Sequence, residues 1–107
     1  MIRRRRSRFD DLVARQLELF AADERALLAE IANADAAWTR AGRDEAEEAY
    51  GDYQLAVDAA SDRLLEIREA YASTLDEPAD GEYRAAFSRA VGKRFRRLPT
   101  LLSDLDA

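Results

Sequence analysis

The 107-residue chain contains no cysteine and no histidine. Their absence excludes disulfide bonds, thiolate nucleophiles and the usual zinc sites, and it removes the commonest general base in enzymes. We therefore expect a protein without enzymatic activity, metal or cofactor. A chain without cysteine is also compatible with a reducing compartment, and we expect a cytoplasmic protein.

Proline and glycine are scarce, with two and four residues, whereas charged residues make up 36% of the chain. That balance is typical of long helices with solvated outer faces rather than of a disordered chain. No apolar stretch approaches the ~20 residues of a membrane span. The chain starts with basic residues, as a signal peptide does, but Asp10 and Asp11 stand where its apolar segment would begin. We expect neither a membrane span nor a signal peptide.

Charge is distributed unevenly along the chain, although the formal net charge is only −5. Residues 1–8 carry five arginines and no acid, and residues 84–97 carry six basic residues and no acid. The segment between them holds twenty acidic residues against six arginines. An acidic body with two basic segments is the main functional signal in this sequence.

Two long helices are predicted on either side of a break at residues 41–43. Their inward-facing positions recur in alternating steps of four and three, close to the 3.5-residue period of a coiled coil. The first set is Val13, Leu17, Phe20, Glu24, Leu27, Ile31, Ala34 and Trp38, and the second is Ala46, Tyr50, Tyr53, Val57, Ala60, Leu64, Ile67 and Tyr71. Around one turn the two sets match layer by layer, with Trp38 facing Ala46 and Val13 facing Tyr71. The sequence therefore predicts a long antiparallel helical hairpin over about residues 9–40 and 45–75.

The ends of these helices carry recognisable capping residues. Ser7 and Asp10 have the spacing of a capping box at the start of the first helix. Gly42 suits the left-handed residue that ends a helix, and Asp44 suits the cap of the next one. Pro78 is expected to stop the second helix, and Asp80 to cap a third.

A third, shorter helix is predicted over about residues 81–97. It is half as long as the others, so it can cover only part of the hairpin, and Leu12, Leu19 and Leu28 widen the apolar face of the first helix. We therefore expect an all-α fold: a coiled-coil-like hairpin with a shorter third helix, assembling as a dimeric helical bundle. Residues 1–8 are expected to form a flexible arginine-rich tail and residues 9–107 a single domain.

Two sets of residues are candidate functional positions. Glu24 is the only charged residue in the first helix's inward set. We predict that Arg94 forms a structural ion pair with Glu24 or, as alternatives, with Asp23 or Asp62. The basic residues are candidates for binding an anion or a nucleic acid. They are Arg3, Arg4, Arg5, Arg6, Arg8, Arg89, Lys93, Arg96 and Arg97.

The sequence favours a non-enzymatic module for protein–protein interaction or assembly, with a homodimer and a protein partner expected. The alternative is a nucleic-acid-associated accessory protein that uses the basic tail and the basic third helix. An arginine-rich tail can also contact anionic lipid, although one tail alone anchors weakly. The simplest alternative for the arginines is that they are solvated or pair with the acidic body.

Overall fold

The computed structural model describes residues 7–96, and this part of the chain contains four helices and no strand. The helices are α1 (Asp10–Asp23), α2 (Arg25–Arg40), α3 (Arg43–Ala72) and α4 (Ala79–Arg94). The predicted all-α class is confirmed for the described residues. None of their helices is long and apolar enough to cross a membrane.

The expected continuous helix over residues 9–40 is broken at Glu24, which separates α1 from α2. Glu24 has φ −106° and ψ 30°, yet its N–H still donates to the Phe20 carbonyl at 2.8 Å. Its own carbonyl accepts from the Leu28 N–H at 2.9 Å. No proline or glycine stands here to cause a kink. The cause lies in packing, because α1 packs chiefly against α4 whereas α2 packs against α3.

The start of α1 forms half of the predicted capping box. The Ser7 N–H donates to Asp10 Oδ2 at 3.0 Å, as a capping-box acid requires. The Ser7 hydroxyl, however, accepts from the Phe9 N–H at 3.1 Å rather than from the N–H three residues on. Ser7 and Arg8 are therefore held at the helix start.

The connection between α2 and α3 is shorter than expected and contains no left-handed residue. Gly42 has φ −74° and ψ 171°, an extended conformation that any residue can adopt, and no described residue other than glycine has positive φ. Asp44 lies inside α3, which begins at Arg43 without a side-chain cap. The predictions for Gly42 and Asp44 are wrong because two extended residues suffice to reverse the chain.

Helix α3 ends at Ala72, three residues earlier than predicted, and α4 begins at Ala79, two residues earlier. Pro78 is the residue before α4, and Asp80 lies in the first helical turn without capping it. Proline is well suited to a helix start because its fixed φ and missing N–H cost nothing there.

Helices α1, α3 and α4 together enclose most of the apolar core. Phe9 contacts Tyr83 edge-on at a centroid distance of 5.7 Å, and Phe20 contacts Phe95 at 5.9 Å, so α1 and α4 run in the same direction. The fully buried side chains of this body include Val13, Leu17, Phe20, Leu64, Tyr83, Phe87 and Val91. We call these three packed helices the three-helix body.

Beyond that body, α2 packs against the amino-terminal half of α3. Ile31, Tyr53, Ala56 and Val57 are buried between the two helices. The inward-facing positions nearest the connection are not buried, since Trp38 and Tyr50 are 39% and 44% exposed. We call α2 and the facing half of α3 the two-helix arm.

Candidate interaction surfaces

The carboxyl-terminal half of α4 presents two cations on its outer face, and a third follows the end of the helix. Arg89 and Lys93 are exposed and stand four residues apart, so they share one side of α4, whereas Arg96 is exposed two residues beyond Arg94, the last residue of α4. No ion pair among residues 7–96 involves any of them. We call these three residues the basic face.

Tyr83 fixes α4 against α1. The side chain is fully buried, and its hydroxyl donates a hydrogen bond to Gln16 Oε1 at 2.8 Å. Burial raises the pKa of the Tyr83 hydroxyl, because the charged phenolate would lose its hydration. The ring also packs on Tyr71 of α3 at a centroid distance of 4.7 Å. Tyr83 therefore sets the rotation of α4 and with it the direction of the basic face.

A group of charged residues fixes α4 against α3. Arg84 donates from Nε to both carboxylate oxygens of Glu69 at 3.1 Å and from Nη1 to Asp80 Oδ2 at 3.0 Å. Arg68, whose side chain is only 14% exposed, bonds Glu69 at 2.9 Å and Ser88 Oγ at 3.1 Å. These bonds lower the pKa of Glu69, chiefly through Arg84, and raise the pKa of Arg84, chiefly through Glu69. The charge of Arg84 is used within the fold, so Arg84 does not extend the basic face.

Arg8 lies at the start of α4 rather than on the basic face. Its Nε is 3.2 Å from Glu82 Oε2, and its guanidinium carbon lies 5.0 Å from the centre of the Phe9 ring. Lys93 follows Glu82 by eleven residues, which is ~16 Å along a helix. The structure therefore places Arg8 and the second half of α4 apart. Arg3, Arg4, Arg5, Arg6 and Arg97 lie outside the described residues.

Glu24 lies at the junction of α1 and α2, where its carboxylate approaches α3. Glu24 Oε1 is 3.9 Å from Nε of Arg63, which also bonds Glu66 at 3.1 Å. Arg94 is exposed and takes part in no ion pair among residues 7–96. Within the described chain, Arg63 occupies the place beside Glu24 that the sequence suggested for Arg94.

The outer face of α3 carries an exposed leucine surrounded by acids, a feature that sequence reasoning missed. Leu55 is 71% exposed. Asp52 and Asp58 stand three residues to either side of it, and Glu48 and Asp62 stand seven residues away, so all lie on its face of the helix. All four acids are exposed, and none joins an ion pair among residues 7–96. We call Leu55 and these four acids the acidic ridge.

The tip of the two-helix arm holds a cluster of aromatic rings. Trp38 lies 5.1 Å from Tyr50 and 6.0 Å from Tyr53 between ring centroids, and it stacks nearly parallel to Tyr53. Burial, followed by the negative charge of Asp35, raises the pKa of Tyr53. The rings pack α2 against α3 at the end of the arm, and Trp38 and Tyr50 remain partly exposed to solvent.

An open groove of about 630 Å³ lies beside α1 and the carboxyl-terminal half of α3. It is lined by Gln16, Arg63, Glu66, Ile67, Ala70, Tyr71 and Thr74. Its charged members Arg63 and Glu66 bond each other at 3.1 Å, so they do not converge on the groove as catalytic groups would. Within residues 7–96, no three acids stand close enough together to hold a metal ion.

Comparison with known proteins gives no relative. No protein-family model matches the chain, and neither a curated protein nor a solved structure resembles it significantly.

Proposed function

We propose that this chain is a non-enzymatic helical module for protein–protein interaction that assembles with a second copy of itself. Its scaffold in this proposal is an antiparallel hairpin with a shorter third helix, forming a dimeric bundle. The basic face, the acidic ridge and the aromatic cluster of Trp38, Tyr50 and Tyr53 then serve as surfaces for other macromolecules rather than as parts of a catalytic site.

The incomplete cover of the two-helix arm carries this proposal. Helix α4 packs against the carboxyl-terminal half of α3, and among the described helices α2 packs against the other half. Two helices bury one seam and leave their other faces in water, and the arm accordingly exposes Trp38 and Tyr50 at its tip and Leu55 on the outer face of α3. A second subunit on the outer face of α3 would cover Leu55 and complete a bundle.

Molar mass in solution tests this proposal. Light scattering at tens of micromolar protein should give twice the 12.1 kDa of one chain. The mass should fall toward one chain on dilution, because association by a modest surface is reversible. A mass of 12.1 kDa throughout that concentration range would contradict the proposal.

A nucleic-acid-associated role is the second candidate, and the basic face favours it because its cations join no ion pair among residues 7–96. If Arg89, Lys93 and Arg96 each contact a phosphate of duplex DNA, log K should fall with log salt with a slope of about −3. Fluorescence anisotropy with a labelled duplex measures that slope, and deleting residues 1–8 should weaken binding further if the tail takes part. Absence of binding at low salt would exclude this role.

A further inference from the structure

We propose that the acidic ridge of one copy binds the basic face of a second copy. The ridge is Leu55 with Glu48, Asp52, Asp58 and Asp62 on α3, and the face is Arg89 and Lys93 on α4 with Arg96 just beyond the end of that helix. This inference rests on the proposed self-assembly and names the surfaces through which it occurs.

Within residues 7–96, neither surface forms ion pairs with oppositely charged side chains. The ridge lies on the side of α3 opposite the buried residues Val57, Ala60 and Leu64. The basic face lies on the side of α4 opposite the buried residues Phe87 and Val91. Each surface therefore points away from the three-helix body, which agrees with the absence of ion pairs to either set within residues 7–96.

The segregation of charge makes the two surfaces complementary over a useful length. Residues 44–62 of α3 contain seven acids and no base, whereas residues 84–96 contain five bases and no acid. Arg89 and Lys93 stand four residues apart on α4, ~6 Å along the helix, as Asp58 and Asp62 do on α3, so cations and carboxylates are spaced over similar distances. Like-charge repulsion disfavours ridge-to-ridge and face-to-face contacts, which leaves ridge-to-face contact as the favoured pairing.

An apolar contact accompanies the charges. Leu55 stands in the middle of the ridge with most of its side chain in water. The residues beside Arg89 on α4 are small, with Ala85 four positions before it and Gly92 three positions after. A leucine can pack between cations where small residues let two helices approach closely. Because exposed ion pairs contribute little each, we expect weak association strengthened by this buried leucine and weakened by salt.

A charge exchange between two variants tests the inference. Asp58→Lys with Asp62→Lys removes the net negative charge of the ridge and places two lysines at its carboxyl-terminal end, and Arg89→Glu with Lys93→Glu gives a chain in which both surfaces carry a net negative charge. Neither should self-associate, whereas their equimolar mixture should associate like the natural chain. Sedimentation equilibrium measures all three, and circular dichroism with urea unfolding verifies that each variant folds.

The matched control is Glu18→Lys with Glu30→Lys, which makes the same change of net charge at exposed positions outside the ridge. Its self-association should equal that of the natural chain. Leu55→Ala, which changes no charge, should weaken association at least several-fold, and raising salt from 0.05 to 0.5 M should weaken it on the order of tenfold.

The outcomes separate this inference from the proposed function. If the natural chain dimerises and both charge variants dimerise equally well, the ridge-to-face contact is refuted while self-assembly stands. If the natural chain is monomeric, both fail. If the Arg89 and Lys93 variant loses binding to a duplex oligonucleotide but still dimerises, the basic face serves a nucleic acid and the inference is overturned.

Discussion

The hydrogen bond between Tyr83 and Gln16 should be measurable as a coupling between α1 and α4. Tyr83→Phe removes a hydroxyl that donates to Gln16 Oε1 at 2.8 Å from a fully buried side chain. A bond between neutral groups contributes about 0.5–1.5 kcal/mol net. Gln16 is only half-buried and water can replace the lost donor, so we expect about 1 kcal/mol. For a domain of this size that loss corresponds to a fall in Tm of about 4–8 °C.

The assay is a double-mutant cycle with Tyr83→Phe, Gln16→Met and both changes together, followed by urea unfolding. The coupling energy should be about 1 kcal/mol, because either change alone removes the same bond. Tyr71→Phe is the matched control, since Tyr71 packs on Tyr83 and its hydroxyl takes part in none of the hydrogen bonds within residues 7–96. A coupling energy indistinguishable from zero, or an equal loss in Tyr71→Phe, would refute this account of how α4 is docked.

The same residue predicts a pH dependence with a definite sign. Burial raises the pKa of Tyr83 above its usual 10.0, so the folded state holds this proton more tightly than the unfolded state. The resulting stabilisation is complete below pH 10 and is lost as pH rises through the raised pKa. Unfolding curves of Tyr83→Phe should therefore fall less steeply with pH above 10 than those of the natural chain.

Three further predictions concern the helices that carry the surfaces. Contacts with Arg84 and Arg68 lower the pKa of Glu69, so these contacts stabilise the folded state above pH 4.5 and cease to do so as pH falls through the lowered pKa. Glu69→Gln should remove that pH dependence from the free energy of urea unfolding. A pH dependence that persists in this variant would contradict the assignment to Glu69. Leu64→Ala, at a fully buried position, should cost about 2–5 kcal/mol in the same measurement, while Leu55→Ala should cost almost nothing; equal effects would be incompatible with the described burial. Gly51→Ala should stabilise by about 0.5–1 kcal/mol, because a Cβ there meets nothing within 4 Å inside a helix; a lower Tm would count against it.

Periodicity predicted the residues of the core better than the course of the backbone. Val13, Leu17, Val57, Ala60 and Leu64 all stand in the predicted inward sets and are all buried. Such residues are recognisable because burial of an apolar stripe is the main term that orders an amphipathic helix. The same pattern did not reveal that the inward-facing residues at the tip of the arm, Trp38 and Tyr50, are partly exposed to solvent.

The break at Glu24 could not be predicted because its cause is not local. A heptad pattern is unchanged by a kink that keeps the hydrogen bonds at Phe20 and Leu28. What decides the direction of α1 is α4, whose Tyr83 and Phe95 contact Phe9 and Phe20. Those contacts join residues more than seventy positions apart, and no window of sequence contains both.

The candidate surfaces were predicted unevenly for a similar reason. The step between Arg89 and Lys93 is visible in the sequence and gives their shared face directly, whereas Arg96 lies beyond the end of α4, which the predicted helix over residues 81–97 had included. Predicting the partner of Glu24 required the exact axial position of one helix relative to another. The structure places Arg63 of α3 beside Glu24. Leu55 was overlooked because a lone leucine outside the apolar stripe carries no periodic signal.

The thirty residues of α3 form one uninterrupted helix that belongs to two differently supported regions. Its carboxyl-terminal half lies within the three-helix body, and its amino-terminal half packs, among the described helices, against α2. The slowest amide exchange along this single helix should therefore lie around Leu64, with protection decreasing toward Arg43 as the arm opens without the body. A partner that covers the arm would slow amide exchange selectively at the amino-terminal end of α3. The exchange pattern along this one helix would therefore show where binding occurs.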